Sequence, residues 1–294
     1  MYTQVKASVI SIKPRRWDKA FNADKLERLF REAAKGKTDV ILATEGVLEG
    51  YVASQVIEHP EMGEAMLDVA EPIDGPYINR FCSLARELST CLCFGFAERI
   101  GREAYNAAVF IDRAGAIRGR CHKVQFAEGA GPDWFFNRIG KTIRAFDTPL
   151  GRAGILICND RWNPRIARTL VLDGARVLLI PSYGMKNRVQ NEAVLARARE
   201  NGVPILEANV GMNLIISKGE VVAYKWGNDQ ITTAMIDLPV PPSTAAARQY
   251  EKAYMDLQGP EMRHRYDETQ KRLRGEPNLV DVAEVGGLIA EAAG

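Results

Sequence analysis

Short apolar runs of strand length recur along the first 240 residues, and several are separated by segments with helical spacing. Strands are predicted at 5–12, 39–42, 91–96, 104–110, 116–120, 142–146, 151–157, 176–180, 203–208, 214–217, 221–224 and 231–238. Helices are predicted at 23–34, 78–88, 163–173 and 189–200. In the first helix Leu26, Leu29, Phe30 and Ala33 share a face. The runs 104–110 and 116–120 read as a hairpin turning at Asp112-Arg113-Ala114-Gly115. Strand–helix alternation with some direct strand–strand steps predicts an α/β fold, its mixed sheets covered by helices. About a dozen strands is many for one open sheet, which points to two packed sheets.

Composition narrows the function classes. The 294 residues are 46% hydrophobic and 26% charged, an ordinary globular mix with ample length for a large core. Lys plus Arg is 39 and Asp plus Glu is 37, a net charge of +2, so neither nucleic acid nor an anionic membrane is indicated as a partner. The N-terminal residues lack a signal-peptide pattern, and no apolar run approaches the roughly 20 residues of a membrane span. Five cysteines without a regular framework suggest a reducing, cytoplasmic setting. Cys91 and Cys93 point to one face of a strand, and with three histidines in the chain a zinc site is not expected. After Pro239 the chain becomes charged, with Tyr250, Tyr254, Met255 and Leu257 at partly helical spacing.

Three residues stand out by position. Cys158 sits where the apolar run Gly154-Ile155-Leu156-Ile157 meets the polar run Asn159-Asp160-Arg161-Trp162-Asn163-Pro164. Asn163 suits a helix cap and Pro164 the first turn. A thiol at a strand end facing a helix N-terminus is placed to ionise and attack a carbonyl carbon. The other reading of such a cysteine is a small buried hydrophobe. Glu45 follows the strand Val40-Ile41-Leu42-Ala43, and Lys123 follows 116–120. Alone, each reads as an ordinary surface charge; together they put Glu, Lys and Cys at three strand ends in that order.

These neighbourhoods resemble the nitrilase, or carbon–nitrogen hydrolase, superfamily. The resemblance rests on Ala43-Thr44-Glu45-Gly46 with Gly50-Tyr51, on His122-Lys123-Val124, and on Gly154-Ile155-Leu156-Ile157-Cys158-Asn159-Asp160-Arg161. Leu179-Ile180-Pro181-Ser182, Arg197-Ala198-Arg199-Glu200-Asn201 and Glu207-Ala208-Asn209 support it. It implies a four-layer αββα sandwich, two mixed sheets flanked by helices, over residues 1–240, with 241–294 as a C-terminal extension. It further implies a site without cofactor or metal and a dimer-based homo-oligomer, in which the extension can meet a neighbour. Carried onto this chain, Cys158 is the nucleophile, Glu45 the general base and acid, and Lys123 the cationic stabiliser. The family often has a second active-site glutamate. Glu128 is the only glutamate between Lys123 and Cys158, and Asp133 is the other acidic candidate.

The substrate is expected to be a small linear amide or N-carbamoyl (ureido) compound. Cys158-Asn159-Asp160-Arg161 resembles carbamoyl amino acid amidohydrolases, in which an arginine at this place binds the substrate carboxylate. The other role for Arg161 is pairing with an acid in the wall. Asn159 would help hold the oxyanion through its backbone N–H, and Tyr51, Trp134, Tyr183 and Trp226 are aromatic candidates for the pocket. Nitrilases typically place tryptophan and glutamate after the cysteine, whereas this chain has Asn159 and Asp160, so amide or ureido cleavage is expected over nitrile cleavage. Two alternatives stand beside hydrolysis: a catalytically silent binding protein of this fold, and a thiol acyltransferase.

Overall fold

The computed structural model describes residues 3–126, 137–184, 187–240 and 244–273. The strands are β1 (Thr3–Ile10), β2 (Val40–Leu42), β3 (Cys91–Ile100), β4 (Glu103–Ile111), β5 (Ile117–His122), β6 (Asn137–Arg138), β7 (Phe146–Thr148), β8 (Gly151–Ile155), β9 (Val177–Ser182), β10 (Ile205–Asn209), β11 (Met212–Ser217), β12 (Glu220–Trp226) and β13 (Ile231–Leu238). The α-helices are α1 (Lys19–Ala34), α2 (Ala53–Glu58), α3 (Gly63–Val69), α4 (Pro76–Leu88), α5 (Pro164–Leu172), α6 (Arg188–Asn201), α7 (Ala247–Leu257) and α8 (Gly259–Leu273).

Two mixed sheets form. One runs β13-β1-β2-β3-β4-β5 with β6 beside β4, and the other runs β12-β11-β10-β9-β8-β7. The alternation of side chains along each strand makes the layers. Val5, Ala7 and Val9 of β1, with Cys91 and Cys93 of β3, meet Ile155, Val177, Leu179 and Leu206 between the sheets. The opposite face of the first sheet, through Leu92 and Phe94, packs on Leu26 and Phe30 of α1 and on Phe81 of α4. The outer face of the second, through Leu178 and Ile180, packs on Ile166 and Leu170 of α5 and on Val194 and Ala198 of α6. The order helix, sheet, sheet, helix is the expected αββα sandwich.

Several elements depart from their expected bounds. Of the expected strand 142–146 only Phe146 pairs, as the first residue of β7. Just before it, the Ile143 N–H donates to Glu251 and the Ala145 N–H to Asp173, so carboxylates take donors that a ladder would have used. The helices α2 and α3 had no counterpart in the apolar spacing. The extension forms α7 and α8. Tyr254 of α7 is buried with α5 residues, and Met262 and Tyr266 of α8 cover Phe126 of the same chain. No helix among the described residues is long and apolar enough to cross a membrane.

Candidate active site

Both sheets deliver charged residues to one region just past their strand ends. In the first sheet, β2 lies between β1 and β3 and is parallel to both. Its chain continues to Glu45, which is fully buried. Gly95 on β3 makes that possible, because an added Cβ there would stand 2.6 Å from the Glu45 Cα. Lys123 comes directly after β5 and is 1% exposed.

Glu45 has both carboxylate oxygens engaged. Oε1 accepts from Lys123 Nζ at 3.1 Å and from Asn106 Nδ2 at 2.7 Å, and Oε2 accepts from the Tyr183 N–H at 2.8 Å. A buried carboxylate stays ionic only with such compensation. Behind it lies Glu49, whose carboxylate accepts the Ala97 N–H at 2.9 Å. Burial pushes the Glu49 carboxyl up to about 7, against that N–H, and the negative field of Glu45 adds to the rise.

The second sheet contributes the cysteine. After β8 the chain enters a 3₁₀ turn, Cys158–Trp162, and only then α5. Asn163 caps α5 as expected, accepting from the Arg165 N–H at 3.0 Å. The thiol therefore opens the 3₁₀ turn, five residues before the α5 cap, and α5 begins where the sequence placed it. Cys158 has φ of +46°, a left-handed conformation that costs a non-glycine residue about 1–2 kcal/mol. Asp160 holds the turn in place. Its carboxylate accepts N–H groups from Ile157 at 2.8 Å, Gln125 at 2.8 Å and Val124 at 3.3 Å. It thus ties the cysteine turn to the segment that follows Lys123. Burial pushes the Asp160 carboxyl up to about 7, while these donors and Lys123 pull the other way.

Tyr183 connects the two sides. Its N–H reaches Glu45 and its carbonyl oxygen lies 4.0 Å from Cys158 Sγ. Its ring stacks on Tyr51 with centroids 4.5 Å apart. These two aromatic residues of the expected pocket therefore stand together beside the glutamate–cysteine region. Trp226 does not join them: it lies on β12, 52% exposed, edge-on to Tyr224. Asn159 donates through its side chain to the Phe126 carbonyl at 2.8 Å. Glu128, Asp133 and Trp134 lie outside the described residues.

Arg161 is buried in the wall at 2% exposure. Its Nη1 donates to Ser182 Oγ at 3.0 Å and pairs with Glu207, and its Nη2 donates to Cys158 Sγ at 3.1 Å. Burial disfavours the charge, but the field of Glu207, with Cys158 and Glu45, holds the guanidinium above its usual range. Burial raises the Glu207 carboxyl as well, yet direct contact with a guanidinium keeps the pair ionic. Glu207, Asn106, Ser182 and Gln190 were not among the expected site residues. A lone carboxylate inside the apolar run 203–208 was the available signal, since such a group needs a buried cation. Among the described residues no group of three or more His, Cys, Asp or Glu is placed to hold a metal ion.

Known proteins resemble this chain in sequence and in fold. The family described as "Carbon-nitrogen hydrolase" matches residues 6–242. An N-carbamoylputrescine amidase of Solanum lycopersicum is 29% identical over 254 residues, covering 82% of this chain and 81% of that protein. A citrullinase of Francisella tularensis is 29% identical over 205 residues, covering 65% of this chain and 69% of that protein. A crystal structure of a carbon–nitrogen hydrolase from Helicobacter pylori G27 superposes with a TM-score of 0.66 at 20% identity, over 87% of this chain and 94% of that one, and shows the shared fold.

Proposed function

The chain belongs to the carbon–nitrogen hydrolase family, and on that premise we propose that it is a thiol amidohydrolase cleaving a non-peptide C–N bond of a small N-carbamoyl compound or linear amide. The observation that carries this reading is the buried Glu45–Lys123 pair, joined through Tyr183 to the Cys158 sulfur. The relatives named N-carbamoylputrescine amidase favour an N-carbamoyl group as the part of the substrate that reacts.

In the proposed cycle Cys158 attacks the carbonyl carbon, and its thiol proton passes to Glu45. Lys123 and the Asn159 backbone N–H hold the oxyanion, each donor being worth about 3–4 kcal/mol in the transition state. The C–N bond breaks as Glu45 returns the proton to the leaving nitrogen. Water then adds to the thioester or thiocarbamate, giving a proton to Glu45, and the sulfur leaves. Arg161 has its terminal nitrogens on Ser182, Glu207 and Cys158, which places it beside the reacting sulfur in this reading.

Ammonia release is measured for wild type and Cys158→Ala on a panel of N-carbamoyl acids, N-carbamoyl amines, linear amides and nitriles. Release from ureido or amide compounds that vanishes in Cys158→Ala is expected. No Cys158-dependent release from any member contradicts the hydrolase and leaves the silent binding protein or the acyltransferase. The proposed setting is cytoplasmic and the proposed assembly a dimer-based homo-oligomer; a monomer mass for the full chain in light scattering contradicts the assembly.

A further inference from the structure

Arg161 and Glu207 form a second buried ion pair that the proposed cycle does not use. Side chains at i and i+3 of a 3₁₀ turn lie one above the other. That register brings Arg161 over Cys158, with Nη2 3.1 Å from Sγ. The guanidinium is fixed from behind. Nη1 contacts Ser182 Oγ and Glu207, and Glu207 Oε1 also accepts from Gln190 Nε2 at 2.8 Å and Ser182 Oγ at 3.2 Å. Arg161 and Glu207 are 2% and 0% exposed and Cys158 is half-buried, so water screens the contact with sulfur little from the arginine side. Burying an arginine and its own counter-ion beneath a thiol is costly as mere wall construction, because apolar residues fill such a wall equally well.

We propose that Arg161 is a catalytic residue that holds Cys158 as a thiolate before substrate arrives, and that Glu207 is the positioning residue that aims it. The proposal rests on the reading of Cys158 as nucleophile. The S–H bond breaks, the electron pair stays on sulfur facing the Arg161 N–H, and the proton moves to a Glu45 oxygen. That proton is the one later delivered to the leaving nitrogen. A cation at hydrogen-bond distance favours the ionised thiol, and the planar fork lets one guanidinium serve sulfur and carboxylate at once.

The test is the pH dependence of iodoacetamide alkylation, read by mass spectrometry on the Cys158 peptide so that the other four cysteines do not contribute. It needs no substrate, so it fails or succeeds independently of amide hydrolysis. Arg161→Met alone leaves Glu207 buried without its cation, so the double variant Arg161→Met/Glu207→Gln, which removes both charges, is the working comparison. Its alkylation midpoint is expected to move up by about one unit or more. Glu207→Gln alone keeps the guanidinium and a side-chain oxygen that can still accept from Arg161 and aim it, while removing the competing negative charge, so its midpoint is expected at or below that of wild type. A folded double variant with the wild-type midpoint overturns the proposal. So does an equal upward shift in Glu207→Gln, which would assign the effect to the wall as a whole.

Discussion

Two buried ion pairs flank Cys158, one from each sheet, and they are built differently. Glu45–Lys123 comes from the seven-stranded sheet, and Arg161–Glu207 from the six-stranded one and the turn beside it. Burial does not distinguish them, since all four side chains are at most 2% exposed. Their hydrogen bonds do. Glu45 accepts at both oxygens, from donors on three different segments of chain. Glu207 gathers its donors on Oε1, and its Oε2 has no partner among the described residues. In the first pair the lysine is a compact charge that serves carboxylate and, in the proposed cycle, oxyanion. In the second, a rigid fork is held still against the sulfur. In the proposed cycle the first pair is thereby suited to moving a proton and the second to fixing a charge.

Lys123→Met breaks the first pair and has the larger expected effect. It removes the proposed oxyanion donor, with an expected fall in kcat of about 10²–10³. It also leaves Glu45 without its cation, which costs about 3–5 kcal/mol of stability. Steady-state kinetics and thermal unfolding of the same variant check both. A variant with unchanged kcat that is merely less stable would reduce Glu45–Lys123 to structure and erase the contrast with Arg161–Glu207.

A smaller, pH-dependent effect sharpens the picture of the first sheet. Burial holds the Glu49 carboxyl at about 7, above the value of 4.5 taken for the unfolded chain. Its contribution to stability is therefore complete below pH 4.5 and lost as pH rises through about 7. Glu49→Gln removes this contribution to the slope, so its Tm is expected to decline less than that of wild type between pH 5 and 7.5. Parallel Tm–pH curves would show that Glu49 does not carry the charge penalty that its place behind Glu45 implies.

Recurrent apolar runs made two packed sheets legible and the family resemblance implied the four layers, but the faces were not, since Val177, Leu178, Leu179 and Ile180 are all apolar and only the structure sends Val177 and Leu179 one way and Leu178 and Ile180 the other. Glu45, Lys123 and Cys158 were legible because each lies at or just past the end of a predicted strand and within a block that resembles the family. Arg161 was visible as a residue but not in its partnership, since Glu207 lies 46 positions away on another strand and only the packing of β10 beside β9 brings it to Ser182 and the turn. Asn106 is 61 positions from Glu45 for the same kind of reason. The 3₁₀ turn was hidden because five residues, three of them polar, are too few to show an apolar period. The helices α2 and α3 are six and seven residues long, too short for a repeating stripe to stand out.

In the proposed cycle Cys158 forms a covalent intermediate with the carbonyl carbon of the substrate. Rapid acid quench during turnover of an N-carbamoyl or amide substrate that releases ammonia, followed by intact-mass and peptide analysis, measures it directly. The account predicts a mass increase of one carbamoyl or acyl group on the Cys158 peptide, absent from Cys158→Ala. Turnover that persists in Cys158→Ala, or an adduct found on another residue, contradicts it.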